Sequence, residues 1–438
     1  MGNSYICDPQ TLKKRIIAVV DCDNFFVSCE RVFRPDLNNK PVAVLSNNDG
    51  CIVSRSKEVK AMGISMGAPA FKFKELVATH NITLFSSNFS LYGDLSDRVM
   101  TILKESVPNT YTYSIDEAFL DFTNLEIKDN DYENFCLNLR KKVKKYTGIP
   151  VSIGIAHTKV LAKIASKISK KGAGVLDMTK LTKTQIDKHL INFDVSDIWG
   201  IGRKLTPKLQ ARKICTAYDY KYQDPRMLKK IINILGEQMY LELNGVSCIK
   251  LHSLSEPRKN IASTRSFGRN IRNLTELEEA VASYTAIACE RLRKQNSVAS
   301  KLGVYIRTGK FTQQKYYSAF KELRPLYPNS DTRIFTKVAI EGLKQIFKPG
   351  YNYAKAGIFL FGIKPLNSIQ ENLITQNYYT NNLKNLKTMK VMDSINKHWG
   401  SGTIKLASEG TKKAWRVKSL LRSSRYTTSW EEIPVIST

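Results

Sequence analysis

Four carboxylates carry the first chemical signal in this 438-residue sequence. Asp21 and Asp23 flank Cys22 just after the apolar run Ile16-Ile17-Ala18-Val19-Val20, and Asp116-Glu117 stand inside a second, alternating run. An apolar run that ends on an acid reads as a buried strand stopping at a site. Three or four carboxylates converging in apolar surroundings repel one another unless a cation neutralises them. Magnesium suits carboxylates that share it with substrate phosphates. Two such ions about 3.5–4 Å apart can clamp the attacking and leaving oxygens of an in-line phosphoryl transfer. Taken singly, each acid is equally well a solvated turn residue or a partner of one of the 68 lysines and arginines.

The elements that must position these groups are legible in outline. Residues 16–21 predict a strand, and Tyr111–Phe122, rich in aromatic and β-branched residues, predicts a hairpin. Neighbouring strand residues point to opposite faces, so Asp116 and Glu117 serve one site only where that hairpin bends. Arg55–Gly63 reads as a helix stopped by its glycine, with Arg55 and Lys60 about one and a half turns apart. Val151–Ile155 reads as another strand, followed by a basic helix over Lys159–Ser169 and then Lys170-Lys171-Gly172-Ala173-Gly174.

From 181 to 250 the pattern is helical. Within it Val195-x-x-Ile198-Trp199-Gly200-Ile201-Gly202, followed by Leu205 and Leu209, has the form of a helix-hairpin-helix. Gly200 and Gly202 there let backbone N–H groups approach a phosphate. Residues 251–262 are polar, contain Pro257, and read as a linker. Beyond it Leu277, Val281, Tyr284, Ala288 and Leu292 make one apolar helical face. With strands over Leu302–Thr308 and Ala356–Ile363 they predict a small α+β domain.

Composition narrows the partner. The net charge of +29, with a pI near 9.7, suits a polyanion. Residues 381–425 alone hold 11 Lys or Arg against Asp393 and Glu409, a basic tail region. The length calls for two to four domains, and 42% hydrophobic with 24% charged residues reads as folded and soluble. A membrane reading finds no support: no run approaches the roughly 18–20 apolar residues of a span, and the first 15 residues read as a loose polar extension. Met1-Gly2 starts like a myristoylation site, but Ile6 stands where Ser or Thr is wanted. The eight cysteines are scattered with no Cys-x-x-Cys pair, which argues for reduced thiols in a cytoplasmic protein.

Asp21-Cys22-Asp23-Asn24-Phe25-Phe26-Val27-Ser28-Cys29-Glu30 and Tyr113-Ser114-Ile115-Asp116-Glu117-Ala118-Phe119 resemble the two catalytic motifs of Y-family translesion DNA polymerases, most closely the UmuC type. The resemblance continues through Ser86-Ser87-Asn88-Phe89-Ser90-Leu91-Tyr92-Gly93-Asp94, Thr264-Arg265-Ser266-Phe267-Gly268 and Ser424-Arg425-Tyr426-Thr427-Thr428. It implies an α/β and α+β multidomain right-hand polymerase. The expected parts are palm (16–37 and 93–180), fingers (38–92), thumb (181–250), linker (251–262), little finger (263–365) and a UmuC-type extension (366–438).

The same resemblance implies that Asp21, Asp116 and Glu117 are the catalytic ligands of two Mg2+ ions, assisted by the Cys22 backbone carbonyl. Asp23 matches an acidic position near the site and not a primary ligand. Phe26 matches a steric gate that packs under the sugar and rejects a 2′-hydroxyl, against the plain alternative of a core aromatic. Arg55, Lys60 and Lys170 match contacts to the triphosphate of the incoming dNTP. Gln370, Leu373 and Ile374, within Gln370-Glu371-Asn372-Leu373-Ile374, resemble a degenerate sliding-clamp peptide. Primer–template DNA is the expected partner, and UmuC-type enzymes also work with a UmuD-type dimer and a recombinase filament. Two rival classes stand beside this reading. A catalytically dead DNA-binding subunit of the same fold would be free to lose the three acids. A nucleotide cyclase would need no duplex grip.

Overall fold

The run Ile17-Ala18-Val19-Val20 is buried on both faces, as in a strand at the centre of a covered sheet. The computed structural model describes residues 15–250, 257–309, 315–368, 376–433 and 435. Two compact units contain them. The first takes in the chain to Leu45, Ile52–Ser255 and Leu421–Thr438; the second takes in Ser46–Cys51 and Glu256–Leu420.

In chain order the first unit carries β1 (Ile17–Cys22), α1 (Phe25–Phe33), β2 (Val42–Leu45), β3 (Ile52–Arg55), α2 (Lys57–Ala61), α3 (Lys74–Thr79), β4 (Thr83–Ser86), α4 (Phe89–Ser106), β5 (Thr110–Thr112) and β6 (Glu117–Asp121). It continues with α5 (Tyr132–Thr147), β7 (Val151–Ala156), α6 (Lys159–Ser169), β8 (Val175–Asp177), and the helices α7 (Lys183–Ile191), α8 (Thr206–Gln210), α9 (Ala217–Lys221), α10 (Pro225–Ile232) and α11 (Ile234–Leu243). β1 is the middle strand of a sheet ordered β5-β6-β1-β7-β8, antiparallel to both neighbours. A three-stranded sheet, β3-β2-β4, leaves β4 at an edge.

Alternation along β1 decides what each face meets. Ile17 and Val19, with Phe119 of β6, pack with Val160, Leu161, Ile164 and Ala165 of α6. Ala18, Val20 and Cys22 pack with Leu91, Leu95, Val99 and Leu103 of α4 on the other side. By the same parity Asp21 and Glu117 fall on the α6 face. The helix lies so close over β7 that a Cβ at Gly154 would collide with the Ser166 nitrogen and the Ala162 carbonyl oxygen, so glycine is required. Its N-terminal N–H groups are met by Thr158 and by the buried Glu242 of α11, whose Oε2 accepts from Lys159 N (2.8 Å) and Val160 N (3.2 Å). A carboxylate at that end also suits the helix dipole.

The second unit carries β9 (Ile261–Ile271), α12 (Leu274–Lys294), β10 (Ser297–Thr308), β11 (Ser318–Leu323), α13 (Thr332–Ile346), β12 (Tyr353–Pro365) and α14 (Gln376–Trp399). Its antiparallel sheet runs β11-β10-β12-β9. The predicted apolar face of α12 is buried in full, against Leu302, Val304 and Ile306 of β10 and Ile358 and Leu360 of β12. Alternation puts Lys301, Tyr305, Arg307, Lys355 and Phe359 on the opposite face, where Arg307 stands directly across from Lys355.

Three expectations need correction. Arg55 is not on a helix: it ends β3, because Ser56 adopts an extended backbone and caps α2 by accepting from Val59 N. The linker is shorter than expected, since Ile261 is already buried in β9; residues 251–256 lie outside the described residues. The basic tail is folded and shared between the units. Asp393 of α14 takes Arg293 in a paired contact (2.6 and 2.7 Å), and Trp415 is buried beside Phe267 and Tyr284 in the second unit. Residues from Leu421 onward belong to the first unit. Among the described residues no helix is long and apolar enough to cross a membrane.

Candidate active site

Strand register brings the predicted acids together. Asp21 pairs directly with Glu117 across β1 and β6, and Cys22 N donates to the Asp116 carbonyl at 2.8 Å. Residues 113–116 form the bend before β6, with Tyr113 N and Ser114 N both donating to the Glu117 carbonyl (3.0 and 3.1 Å). Asp116 therefore lies outside the regular alternation, and its Oδ1 accepts from Ser114 Oγ at 2.6 Å. Like charges directly opposite on a sheet are destabilising. The cations that offset this come from α6 and the residue after it: Lys163 Nζ bonds both Glu117 oxygens (3.1 and 3.0 Å), and Lys170 Nζ bonds Asp21 Oδ1.

Burial pushes the Glu117 carboxyl above its usual range; Lys163 works against that and Asp21 adds to it. Asp23 is likewise raised by burial, although Ser152 Oγ donates to both of its oxygens. Burial disfavours the Lys170 ammonium, yet Asp21 outweighs this and holds its pKa above the ordinary lysine value. The Cys22 thiol is buried and pushed well up by that burial, then by Asp21 and Asp116, so only the backbone of this residue suits a cation. All the donors are hard oxygens, the set that magnesium takes, and a like-charged pair is relieved by a cation, so the residues fit the ion. Among the described residues no three His, Cys, Asp or Glu side chains are gathered to hold one as they stand; Asp21 and Glu117 are each turned to a lysine.

The predicted basic residues reach the same place from separate elements. Lys60 Nζ bonds Asn24 Oδ1, and burial, followed by repulsion from Lys170 and Arg55, lowers its pKa. Arg55 donates to the Ile64 carbonyl, which anchors it to the loop after α2. Phe26 of α1 stacks on Tyr92 at 4.4 Å and 13°, with Phe89 edge-on at 6.0 Å.

In the 181–250 region Val195–Asp197 forms a 3-10 turn before Gly200, so the first arm of the predicted helix-hairpin-helix is shorter than a helix. Gly200 has φ +97°, which a side chain would strain. Gly202 has no such φ, and a Cβ there would meet open space. Gln370, Leu373 and Ile374 lie outside the described residues.

Lys163 escaped the sequence reading. Its Nζ also lies 4.7 Å from the Tyr113 ring centre and 5.1 Å from that of Trp199. The signal was available: Lys163, Lys167 and Lys170 recur at steps of four and three on one helical face. Ser114 and Ser152 carry no comparable signal.

Comparison with known proteins places this geometry. Residues 20–167 match the impB/mucB/samB family, 258–373 match its C-terminal domain, and 387–436 match a domain of unknown function, DUF4113. Protein UmuC of Salmonella typhimurium is 37% identical over 95% of this chain and 99% of its own. Protein SamB of the same species is 37% identical over 96% and 99%. Among solved structures a Y-family DNA polymerase chimera matches with a TM-score of 0.62 at 24% identity, covering 80% of this chain and 99% of that one. This last likeness speaks for the fold alone. With both acidic segments in one sheet and relatives matched along nearly their whole length, the chain belongs to the impB/mucB/samB family, the UmuC type of Y-family DNA polymerase.

Proposed function

We propose that the chain is a DNA-directed DNA polymerase that extends a primer 3′-hydroxyl with dNTPs past damaged template bases, by two-metal phosphoryl transfer. The observation that carries this reading is the direct pairing of Asp21 with Glu117, with Asp116 in the adjoining bend and three cations beside them. Asp21, Asp116, Glu117 and the Cys22 carbonyl would hold the ions. When bound, two magnesium ions neutralise charge on the triphosphate and on the attacking and leaving oxygens.

The chain's own groups do the rest. Lys60 and Lys170 face the triphosphate, and Arg55 adds to the local field from its anchored position. Lys170 and Lys163 hold the acids in place until the nucleotide and its ions compete for them. Phe26 lies flat under the sugar and leaves no room for a 2′-hydroxyl. Gly200, Gly202 and the open face of the second unit's sheet grip duplex backbone without reading sequence. Gln370, Leu373 and Ile374 engage the sliding clamp, while a UmuD-type dimer and a recombinase filament are further partners of the type.

Primer extension with magnesium, on intact and damaged templates, tests the activity beside a measurement of DNA affinity. Binding without extension would replace this reading with a DNA-binding subunit. For the clamp, Leu373→Ala with Ile374→Ala should cost about 2 kcal/mol of clamp binding and abolish clamp-stimulated synthesis on a long template. Basal extension of a short oligonucleotide should persist. Full stimulation of the double variant would move the contact elsewhere.

A further inference from the structure

Two further segments of the family resemblance, Ser86–Asp94 and Ser424–Thr428, lie beside one another in the first unit. The C-terminal chain runs along the free edge of β4: Ser86 N donates to the Leu421 carbonyl and Leu421 N donates to Ser86 Oγ, both at 3.0 Å. Ser86 and Arg422 form a parallel bridge. The buried Asn88, which caps α4, then donates from Nδ2 to Ser423 Oγ (3.0 Å) and to the carbonyls of Ser423 (3.3 Å) and Ser424 (3.1 Å). Tyr426 stacks on Phe33, the last residue of α1, at 4.5 Å and 10°.

One of these contacts leads back to the sugar-facing residue. Ser423 Oγ donates to Glu30 Oε1 at 3.1 Å, and Tyr92 OH donates to that same oxygen at 2.6 Å. Glu30 and Tyr92 are fully buried. The ring of Tyr92 is the one on which Phe26 stacks, and Phe26 and Glu30 share α1. A buried carboxylate keeps its position through its hydrogen bonds, and losing one leaves it to seek others. When Glu30 shifts, the Tyr92 hydroxyl follows, and the face that supports Phe26 tilts with it.

We infer that the segment Leu421–Tyr426, within the stretch whose family model is a domain of unknown function, is a positioning element for Phe26: through Ser423, Glu30 and Tyr92 it sets the ring that discriminates ribose from deoxyribose. This rests on the reading of Phe26 as the sugar-facing residue. Ser423 and Tyr426 touch neither nucleotide nor metal in this scheme; their effect passes through α1 and α4.

The full chain carrying Ser423→Ala and Tyr426→Ala is compared with the parent, with Phe26→Ala, and with all three changes together, by kcat/KM for ribo- and deoxyribonucleotides. The tail variant should raise the ribo-to-deoxy ratio about threefold or more, the effect of one lost hydrogen bond. Its kcat for deoxyribonucleotides should stay within about twofold of the parent. Tyr426→Phe, which keeps the stacked ring, should stay at the parent ratio. Added to Phe26→Ala, the tail changes should raise the ratio no further, because residues in one chain of contacts do not act additively.

A parental ratio in the tail variant, with a raised ratio in Phe26→Ala, overturns the inference and leaves the gate intact. Additive effects overturn it as well. No change in Phe26→Ala removes the gate itself, and the inference with it. Should the double tail variant melt out, Ser423→Ala alone carries the same comparison.

Discussion

The two large sheets of this protein each hold a like-charged pair directly across two strands, with opposite signs. In the five-stranded sheet it is Asp21 opposite Glu117; in the four-stranded sheet it is Arg307 opposite Lys355. Either arrangement costs stability in isolation. The acidic pair has its counter-charges built in, since Lys163 and Lys170 bond it from α6 and the residue beyond. The basic pair has none: among the described residues neither Arg307 nor Lys355 is in an ion pair, and burial and Arg307 together lower the Lys355 pKa. The difference teaches what each site waits for. On the proposed reading, acids that take up and release cations are held meanwhile by lysines, whereas the Arg307–Lys355 pair keeps its own field free for a polyanion, beside a Lys301 that is paired with Glu322.

The largest effect that would break this comparison lies in the acids. Asp116→Asn or Glu117→Gln should lower nucleotide addition by about 10²–10³-fold or more while primer–template affinity stays within about twofold. Extension and DNA binding measured on the same preparations decide it. Near-normal extension in either variant would remove the acidic site from catalysis.

Next comes the basic pair. Primer–template binding by the parent should fall steeply with salt, with a log–log slope of roughly −4 or steeper. Arg307→Gln with Lys355→Gln should make that slope shallower by about 2, one counterion for each lost phosphate contact, without changing extension at saturating DNA. An unchanged slope would mean that this face does not meet the backbone.

The smallest effect has the opposite sign and sharpens the contrast most. Because Arg307 and Lys355 repel, the same double variant should gain about 0.2–1 kcal/mol of stability at low salt, read as a higher melting temperature. Loss of DNA affinity with a gain in stability marks a pair kept for binding. Loss of both would make it structural.

Much of this was legible in the chain. The central strand, the basic helix over Lys159–Ser169 and the apolar face of α12 follow from periodicity, because burial selects residues at the spacing of the element. Local signals do place Arg55 before the helix: Cys51-Ile52-Val53-Ser54 is strand-like, and Ser56 is a good helix cap. The partners of the site residues were a different matter. Lys163 lay in a helix read correctly as basic, yet nothing local says that it meets Glu117, 46 positions earlier.

By itself the sequence determined the identity of the acids and the cationic character of the whole, since these depend on residue type and near-neighbour spacing; the bend that frees Asp116 came only with the structure. Tertiary structure alone decided that Asp21 stands opposite Glu117, that Lys163 and Lys170 answer them, and that Ser423 reaches Glu30 across 393 positions. Strand register and tail docking are set by which buried surfaces close together, and a one-residue slip in β6 would send Glu117 to the other face with no change in local propensity.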